Sequence, residues 1–100
     1  MTQTEKNIEV IRNFLKENGM KYMEKMSYRG MVMDICVPQV MIAIHIGDSQ
    51  EFFDATKKYY APFFIRETES EKKTLEKIQN CCIMQMRKMH NKLNAKKNKA

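Results

Sequence analysis

A chain of 100 residues has room for one small domain with a single core, and its 43% of hydrophobic residues excludes global disorder. The formal net charge is +6, and all of it falls on residues 87–100, which contain six Lys and Arg residues and no acid. We therefore interpret residues 1–93 as one domain and residues 94–100 as a disordered basic tail. This tail either keeps the protein in solution or attracts phosphates and anionic surfaces.

The lengths of the apolar runs and the number of cysteines indicate the cellular compartment in which the protein is expected. No apolar run approaches the ~20 residues that span a bilayer, and the N-terminus lacks the basic and apolar regions of a secretory signal. The cysteines number three, which predicts free thiols in a cytoplasmic protein with no membrane partner rather than a disulfide framework. We interpret the adjacent Cys81 and Cys82 as small hydrophobic residues of a helix, with a redox pair or a soft-metal site as the alternative.

The N-terminal quarter of the chain predicts a helix and then a strand. Apolar residues recur at helical spacing after Thr4, the expected N-cap, and Gly19 suits the left-handed position that ends a helix. From residue 20 to residue 28 the apolar period changes to two, which predicts a strand. Glu24 falls on the apolar face of this strand, where an acid lies at an edge, is paired, or belongs to a site.

A buried β-hairpin is predicted next. Residues 31–37 alternate and residues 40–46 are apolar on both faces, as in a central strand covered on both sides. Met31, Met33, Ile35 and Val37 are expected on one face of the first strand. Pro38 cannot donate to a ladder, so we place the turn at Pro38 and Gln39.

The register of this hairpin brings two titratable side chains together. If Val37 lies opposite Val40, then Asp34 lies opposite Ala43, with His45 one diagonal step away on the same face. The position of Glu24 depends on the preceding turn: a three-residue turn pairs it with Asp34, and a two-residue turn places it on the opposite face.

The second half of the chain predicts two helices and a short strand. Asp48 has the spacing of an N-cap for the first helix, and Pro62 is expected to end it. Residues 63–65 then predict a short buried strand, and Thr68 is the expected N-cap of the longest helix. The apolar stripe of that helix is Leu75, Ile78, Cys82, Met86, Met89 and Leu93. The predicted fold is a single α/β domain of the α+β kind, in the order α-β-β-β-α-β-α.

Two runs of this sequence resemble the PD-(D/E)xK nuclease superfamily, and within it the small single-domain members related to very-short-patch-repair endonucleases. These runs are GMVMDICVP at residues 30–38 and IAIHI at residues 42–46, and the resemblance covers roughly residues 8–80. It implies a restriction-endonuclease-like core, in which helices flank a mixed four-stranded sheet.

The same resemblance implies roles for particular residues. In that family a first acid binds Mg²⁺, a second acid also binds it, and a nearby Lys positions the attacking water. Asp34 matches the first acid, whereas His45 occupies the position of the second acid and Gly47 that of the Lys. Imidazole is a poor replacement for carboxylate as a ligand of Mg²⁺, so the active-site motif is degenerate.

Two hypotheses follow from the resemblance. In the one we favour, the domain has no cofactor, does not cleave, and binds nucleic acid without sequence specificity. In the other, it is a metal-dependent phosphodiesterase or DNA endonuclease in which Asp34 and His45, with Glu24, hold a divalent ion such as Mg²⁺, Mn²⁺ or Zn²⁺.

The side chains expected to contact phosphates are Lys57, Lys58, Arg87, Lys88 and Lys92. A third hypothesis is of another class: a protein-interaction module or a homodimer that pairs through the long C-terminal helix.

Overall fold

Helix α1 (Gln3–Glu17) lies at the start of the fold and buries Ile11 and Leu15 completely. The computed structural model describes the backbone of residues 2–98 and the side chains of residues 2–91. Thr2, rather than the expected Thr4, is the N-cap, because its hydroxyl accepts a hydrogen bond from the amide of Glu5 at 3.1 Å. Gly19 has a φ of +66°, which confirms the predicted left-handed end of this helix.

Strands β1 (Met23–Tyr28) and β2 (Met31–Val37) form an antiparallel hairpin. Tyr28 pairs with Met31, so the turn has two residues, Arg29 and Gly30, with φ values of +50° and +79°. Two successive positive φ values are typical of a type I′ turn, whose twist matches that of the flanking strands. The two-residue alternative is therefore the one that the chain adopts.

Strand β3 (Ile42–Ile46) is antiparallel to β2, and its register differs from the expected one. Val37 pairs with Ile42, two residues beyond the expected partner. The difference arises because a short 3₁₀ helix (Pro38–Val40) and a left-handed Met41, with φ +53°, replace the expected two-residue turn.

Helix α2 (Gln50–Thr56) and strand β4 (Ala61–Ile65) complete the sheet, with β4 parallel to β3 and the strand order β1-β2-β3-β4. Ser49, rather than Asp48, is the N-cap of α2, since its hydroxyl accepts from the amide of Phe52 at 3.1 Å. Pro62 does not end this helix: it lies inside β4, at the edge of the sheet, where a residue without an amide hydrogen is tolerated.

Helix α3 (Glu71–Asn98) is the longest element. Ser70, rather than Thr68, caps it, because the Ser70 hydroxyl accepts from the amide of Lys73 at 3.1 Å. The backbone is helical through residues 94–98, so the prediction of disorder is wrong there, and residues 99–100 lie outside the described residues. Of the helices in the described part of the chain, none combines the length and the apolar character that a bilayer crossing requires.

The sheet separates two hydrophobic clusters. The larger cluster joins α1 and α3 to one face of the sheet, and the smaller one joins α2 to the other. The buried residues of the larger cluster are Ile11, Leu15, Ile35, Val37, Val40, Ile42, Ile44, Ile65, Ile78 and Cys82. Those of the smaller cluster are Met33, Cys36, Ala43 and Phe52. The chain is thus an α+β domain with three helices, a mixed four-stranded sheet and the predicted element order.

The alternation of β2 breaks in its middle, contrary to the prediction. Met33 belongs to the smaller cluster, whereas Ile35 and Val37 belong to the larger one on the other face. In the β1–β2 ladder, Glu24 pairs with Ile35 and Met26 pairs with Met33. Lys25 lies between these two pairs and has a φ of +54°. A left-handed residue in an extended strand reverses the direction of its neighbours, so the hairpin changes face at the level of Lys25 and Asp34.

Candidate functional site

Asp34 lies where β2 changes face, and its carboxylate accepts hydrogen bonds from two donors. Oδ2 accepts from the backbone amide of Ile46 at 2.9 Å, beyond the last β2–β3 partner pair. Oδ1 accepts from Nζ of Lys25 at 3.1 Å. The Asp34 side chain is 14% exposed, whereas that of Lys25 is 72% exposed, so the amide is the better shielded partner. The Asp34 carboxylate therefore accepts the hydrogen bond from Ile46 that a backbone carbonyl of β2 would accept if the β2–β3 ladder continued.

His45, on β3, lies beside Asp34, which confirms the expected convergence of these two side chains. Nδ1 of His45 is 3.5 Å from Oδ2 of Asp34 and is buried without a hydrogen-bond partner. The imidazole stacks on Phe52 at a ring distance of 4.8 Å and meets the edge of Phe64 at 6.0 Å. Aromatic packing therefore fixes the orientation of this ring. The contact arises through a register other than the one predicted.

Glu24 does not join this pair. Its carboxylate accepts from Nε of Arg12, on α1, at 2.7 Å, and Nη2 of Arg12 is 2.6 Å from the same oxygen. The hydrogen bond to Glu24, followed by the one to Glu9, raises the pKa of Arg12 above its ordinary value. The two-residue turn thus gives Glu24 a structural partner on the α1 side of the sheet.

The donors around Asp34 do not fit the metal site that the resemblance implies. Within residues whose side chains are described, no group of three His, Cys, Asp or Glu residues is arranged to hold a metal ion. Asp34 and His45 are two potential ligands, which is one short of such a group. Gly47 has a φ of +111°, a conformation that L side chains rarely adopt, so the backbone itself disfavours a Lys at this position.

The expected phosphate contacts meet at a different place. Lys57, Lys58 and Lys88 line one groove, of about 880 Å³, between the end of α2, strand β4 and helix α3. Arg87 is exposed on α3 but does not line the groove, and the side chain of Lys92 lies outside those described. The structure therefore brings together three of the five basic residues predicted from the sequence.

Aromatic side chains that the sequence analysis did not identify as site residues stand beside these lysines. Tyr59 is 51% exposed, and its ring lies 5.5 Å from Cζ of Arg29 and 5.4 Å from Nζ of Lys58. Phe53 is 39% exposed, with Nζ of Lys57 at 5.7 Å from its ring. The sequence KKYY at residues 57–60 was the available signal, since it places two lysines directly before two aromatic residues.

The charge of the groove is strongly one-sided. Four lysines line it, the fourth being Lys77, and none of its lining residues is Asp or Glu. Lys77 pairs with Glu69, and Lys57 lies 3.3 Å from Asp54. Neither Lys58 nor Lys88 forms an ion pair with any described residue. Lys58 and Lys88 therefore present positive charge to the groove that no ion pair among the described residues neutralises.

The adjacent cysteines are poorly suited to redox chemistry. Burial, with a smaller contribution from Cys82, raises the pKa of the Cys81 thiol to about 11. Burial also raises the pKa of Cys82. Both thiols are free, and a thiol that is protonated at neutral pH is a weak nucleophile and a weak metal ligand. Cys82 is buried in the larger hydrophobic cluster and Cys81 packs against it, which favours the interpretation of both residues as small hydrophobic side chains.

Comparison of the chain with protein-family models, with curated proteins and with solved structures finds no match.

Proposed function

We propose that this domain binds nucleic acid through the groove between α2, β4 and α3, and that it does so without cleaving the bound strand. The observation that carries this proposal is the groove's lining, which contains four lysines and exposed aromatic rings but no acid. An anionic polymer suits such a surface, because each phosphate that a lysine neutralises releases a condensed counterion. Nothing in the groove suggests a base-reading motif, so we propose binding without sequence specificity.

The state of Asp34 supports a role without catalysis. A metal-dependent phosphodiesterase needs several ligands around the ion, and among the described residues no group of three His, Cys, Asp or Glu residues could hold one. The kinship with PD-(D/E)xK nucleases is part of this proposal, supported by the element order and by an Asp on the second strand. In this view the nuclease-like core persists as a scaffold. A cytoplasmic location is likewise proposed, and the three free thiols are compatible with it.

The magnitude of the electrostatic contribution follows from the number of available lysines. If Lys57, Lys58 and Lys88 each contact one phosphate, the slope of log K against log salt is about −2 for a single strand and about −3 for a duplex. Affinity should then fall about 20- to 40-fold between about 50 mM and about 200 mM salt.

The test is fluorescence anisotropy with labelled oligonucleotides at several salt concentrations. Lys57→Ala with Lys58→Ala should weaken binding about tenfold and reduce the magnitude of the salt slope by about 1.4 for a single strand and about 1.8 for a duplex. The matched control is Lys6→Ala with Lys16→Ala, which removes the same charge from exposed positions of α1 outside the groove. Equal losses in both double variants, or no binding by the unaltered protein, would show that the groove has no such function. Cleavage of the oligonucleotide with Mg²⁺ or Mn²⁺ would refute the non-catalytic part.

Self-association through α3 is a second candidate, favoured by one observation. Ile83, Met84, Met86 and Met89 are 40–57% exposed on this helix, and two of them, Met86 and Met89, belong to its predicted apolar stripe. A second copy would cover this surface. Light scattering after size-exclusion chromatography tests the idea, and a monomeric mass at high concentration would eliminate it.

A further inference from the structure

We propose that the groove takes a single strand rather than a duplex, with bases stacked on Tyr59 and Phe53. This inference rests on the proposed function and names the class of nucleic acid. Its basis is that the same groove is lined by lysines, which can contact phosphates, and by exposed aromatic rings, which can stack on bases. A single strand presents both groups at once.

Tyr59 is 51% exposed, and two cationic side chains contact its ring. Arg29, from the β1–β2 turn, and Lys58 both lie within 5.5 Å of its centroid, so cations from two separate elements contact this ring. Arg29 also lies 5.5 Å from the ring of Tyr28, which in turn packs edge-on against Tyr60 at 5.3 Å. A ring that is held in this way loses little further freedom when a base stacks on it.

Phe53 is a second exposed aromatic residue with a cation beside its ring. Its exposed ring lies on α2, beside Lys57, while its neighbour Phe52 is buried in the smaller core cluster. Because the Phe53 ring is partly exposed, the fold does not gain the full hydrophobic stabilisation that burial of this side chain would give. Stacking on a base would cover it, and such stacking contributes similarly for every base because each has an aromatic face.

A duplex would use only part of this surface. Its base faces are stacked on one another inside the helix, so it offers phosphates to the lysines but nothing to the exposed rings. A single strand with unstacked bases offers phosphates to the lysines and base faces to the exposed rings, so we expect the groove to bind a single strand more tightly than a duplex.

The edge of β4 argues against an extended peptide as the occupant. The amide of Ala61 donates to Met41, and the carbonyl of Ile65 accepts from Gly47, so these residues turn their backbone groups away from the groove. Alternate residues therefore turn theirs toward it, and one of them is Pro62, which has no amide hydrogen. Strand addition would lose a hydrogen bond in the centre of this short edge.

The experiment compares labelled oligothymidine of about 20 nucleotides with a duplex of the same length, by anisotropy at fixed salt. We expect the single strand to bind at least several-fold more tightly. Tyr59→Ala should raise the single-strand Kd by about 5- to 150-fold, the range observed for loss of one stacked base, and change the duplex Kd less than about twofold. Tyr59→Phe, which keeps the ring, should remain within about twofold of the unaltered protein.

A direct readout of stacking is available because the chain contains no Trp. Tyr59→Trp should show fluorescence quenching that saturates with oligothymidine. Met23→Trp is the matched control: Met23 is 42% exposed on β1, the strand at the other edge of the sheet, and should not be quenched.

The outcomes separate this inference from the proposed function. Absence of binding to either oligonucleotide would remove both. Equal affinity for single strand and duplex, with no effect of Tyr59→Ala, would refute the single-strand inference and leave the groove as a phosphate-binding surface. Displacement of oligothymidine by polyglutamate as efficiently as by unlabelled strand would also refute it, because the partner would then be an acidic polypeptide.

Discussion

Replacement of Asp34 by Ala tests whether this carboxylate is a structural acceptor or a metal ligand. The substitution removes the acceptor of the Ile46 amide, 2.9 Å away, and the partner of Lys25. Asp34→Asn keeps one oxygen as an acceptor but removes the charge. The two variants therefore separate the loss of the hydrogen bond from the loss of the charge.

The expected cost is set mainly by the amide. A partly buried N–H that loses its acceptor costs about 1–2 kcal/mol. The contact with Lys25 adds at most about 0.5 kcal/mol, because its side chain is 72% exposed and water screens the charge. Asp34→Ala should thus lower the free energy of unfolding by about 2 kcal/mol and Asp34→Asn by about 1 kcal/mol.

Urea denaturation followed by circular dichroism measures this difference. With an m value of about 1.3 kcal/mol per M, the midpoint should fall by about 1.5 M for Asp34→Ala and about 0.8 M for Asp34→Asn. Asp54→Ala is the matched control, since this carboxylate is 54% exposed and pairs with an exposed Lys57. Its midpoint should remain within about 0.4 M of that of the unaltered protein.

Repeating the titration with millimolar Mg²⁺ or Mn²⁺ decides the role of the carboxylate. We expect the same midpoints with and without the ion. A ligand that binds the folded state at about 100 times its Kd stabilises it by about 2.7 kcal/mol, so binding would be readily detected. Stabilisation of the unaltered protein but not of Asp34→Ala would refute the structural reading and restore the metal-dependent hypothesis.

Three further outcomes are expected. Because burial raises the pKa of Cys81 to about 11, its alkylation near neutral pH should be about 100-fold slower than that of an ordinary thiol and should rise tenfold per pH unit up to about pH 11. Asn7→Ala should cost about 1–3 kcal/mol in urea denaturation, since the fully buried Asn7 amide donates to the carbonyl of Glu69 at 2.9 Å. Burial opposes the ionisation of Glu69, but hydrogen bonds from Lys77 and the Arg66 amide outweigh it and lower the pKa below its ordinary 4.5. The stability from this carboxylate is therefore fully present above pH 4.5 and lost as the pH falls through the lowered pKa, so thermal melts of Glu69→Gln and the unaltered protein should converge in acid.

The sequence by itself determined the order and type of the elements. The helical spacing around Ile11 and Ile78 and the apolar run of β3 are local patterns. Ile11, Ile78 and the first three residues of β3 are buried as these patterns predict. Asp34 and His45 were expected on one patch because a hairpin of adjacent strands brings them together in either register. Element boundaries were less well predicted: Thr2, Ser49 and Ser70 provide the caps in place of the expected residues, since several nearby side chains have similar capping propensity.

Only the tertiary structure decided on which face of the sheet each strand residue lies and which side chains contact one another. A period of two assumes extended backbone throughout, and the left-handed Lys25 breaks that assumption without any glycine to mark it. Glu24 has a partner because α1 packs over that face and presents Arg12, a contact between residues in separate elements. The groove is likewise formed by residues that are distant in sequence. Lys57 and Lys88 line it from different elements, and their proximity cannot be predicted from sequence spacing or composition.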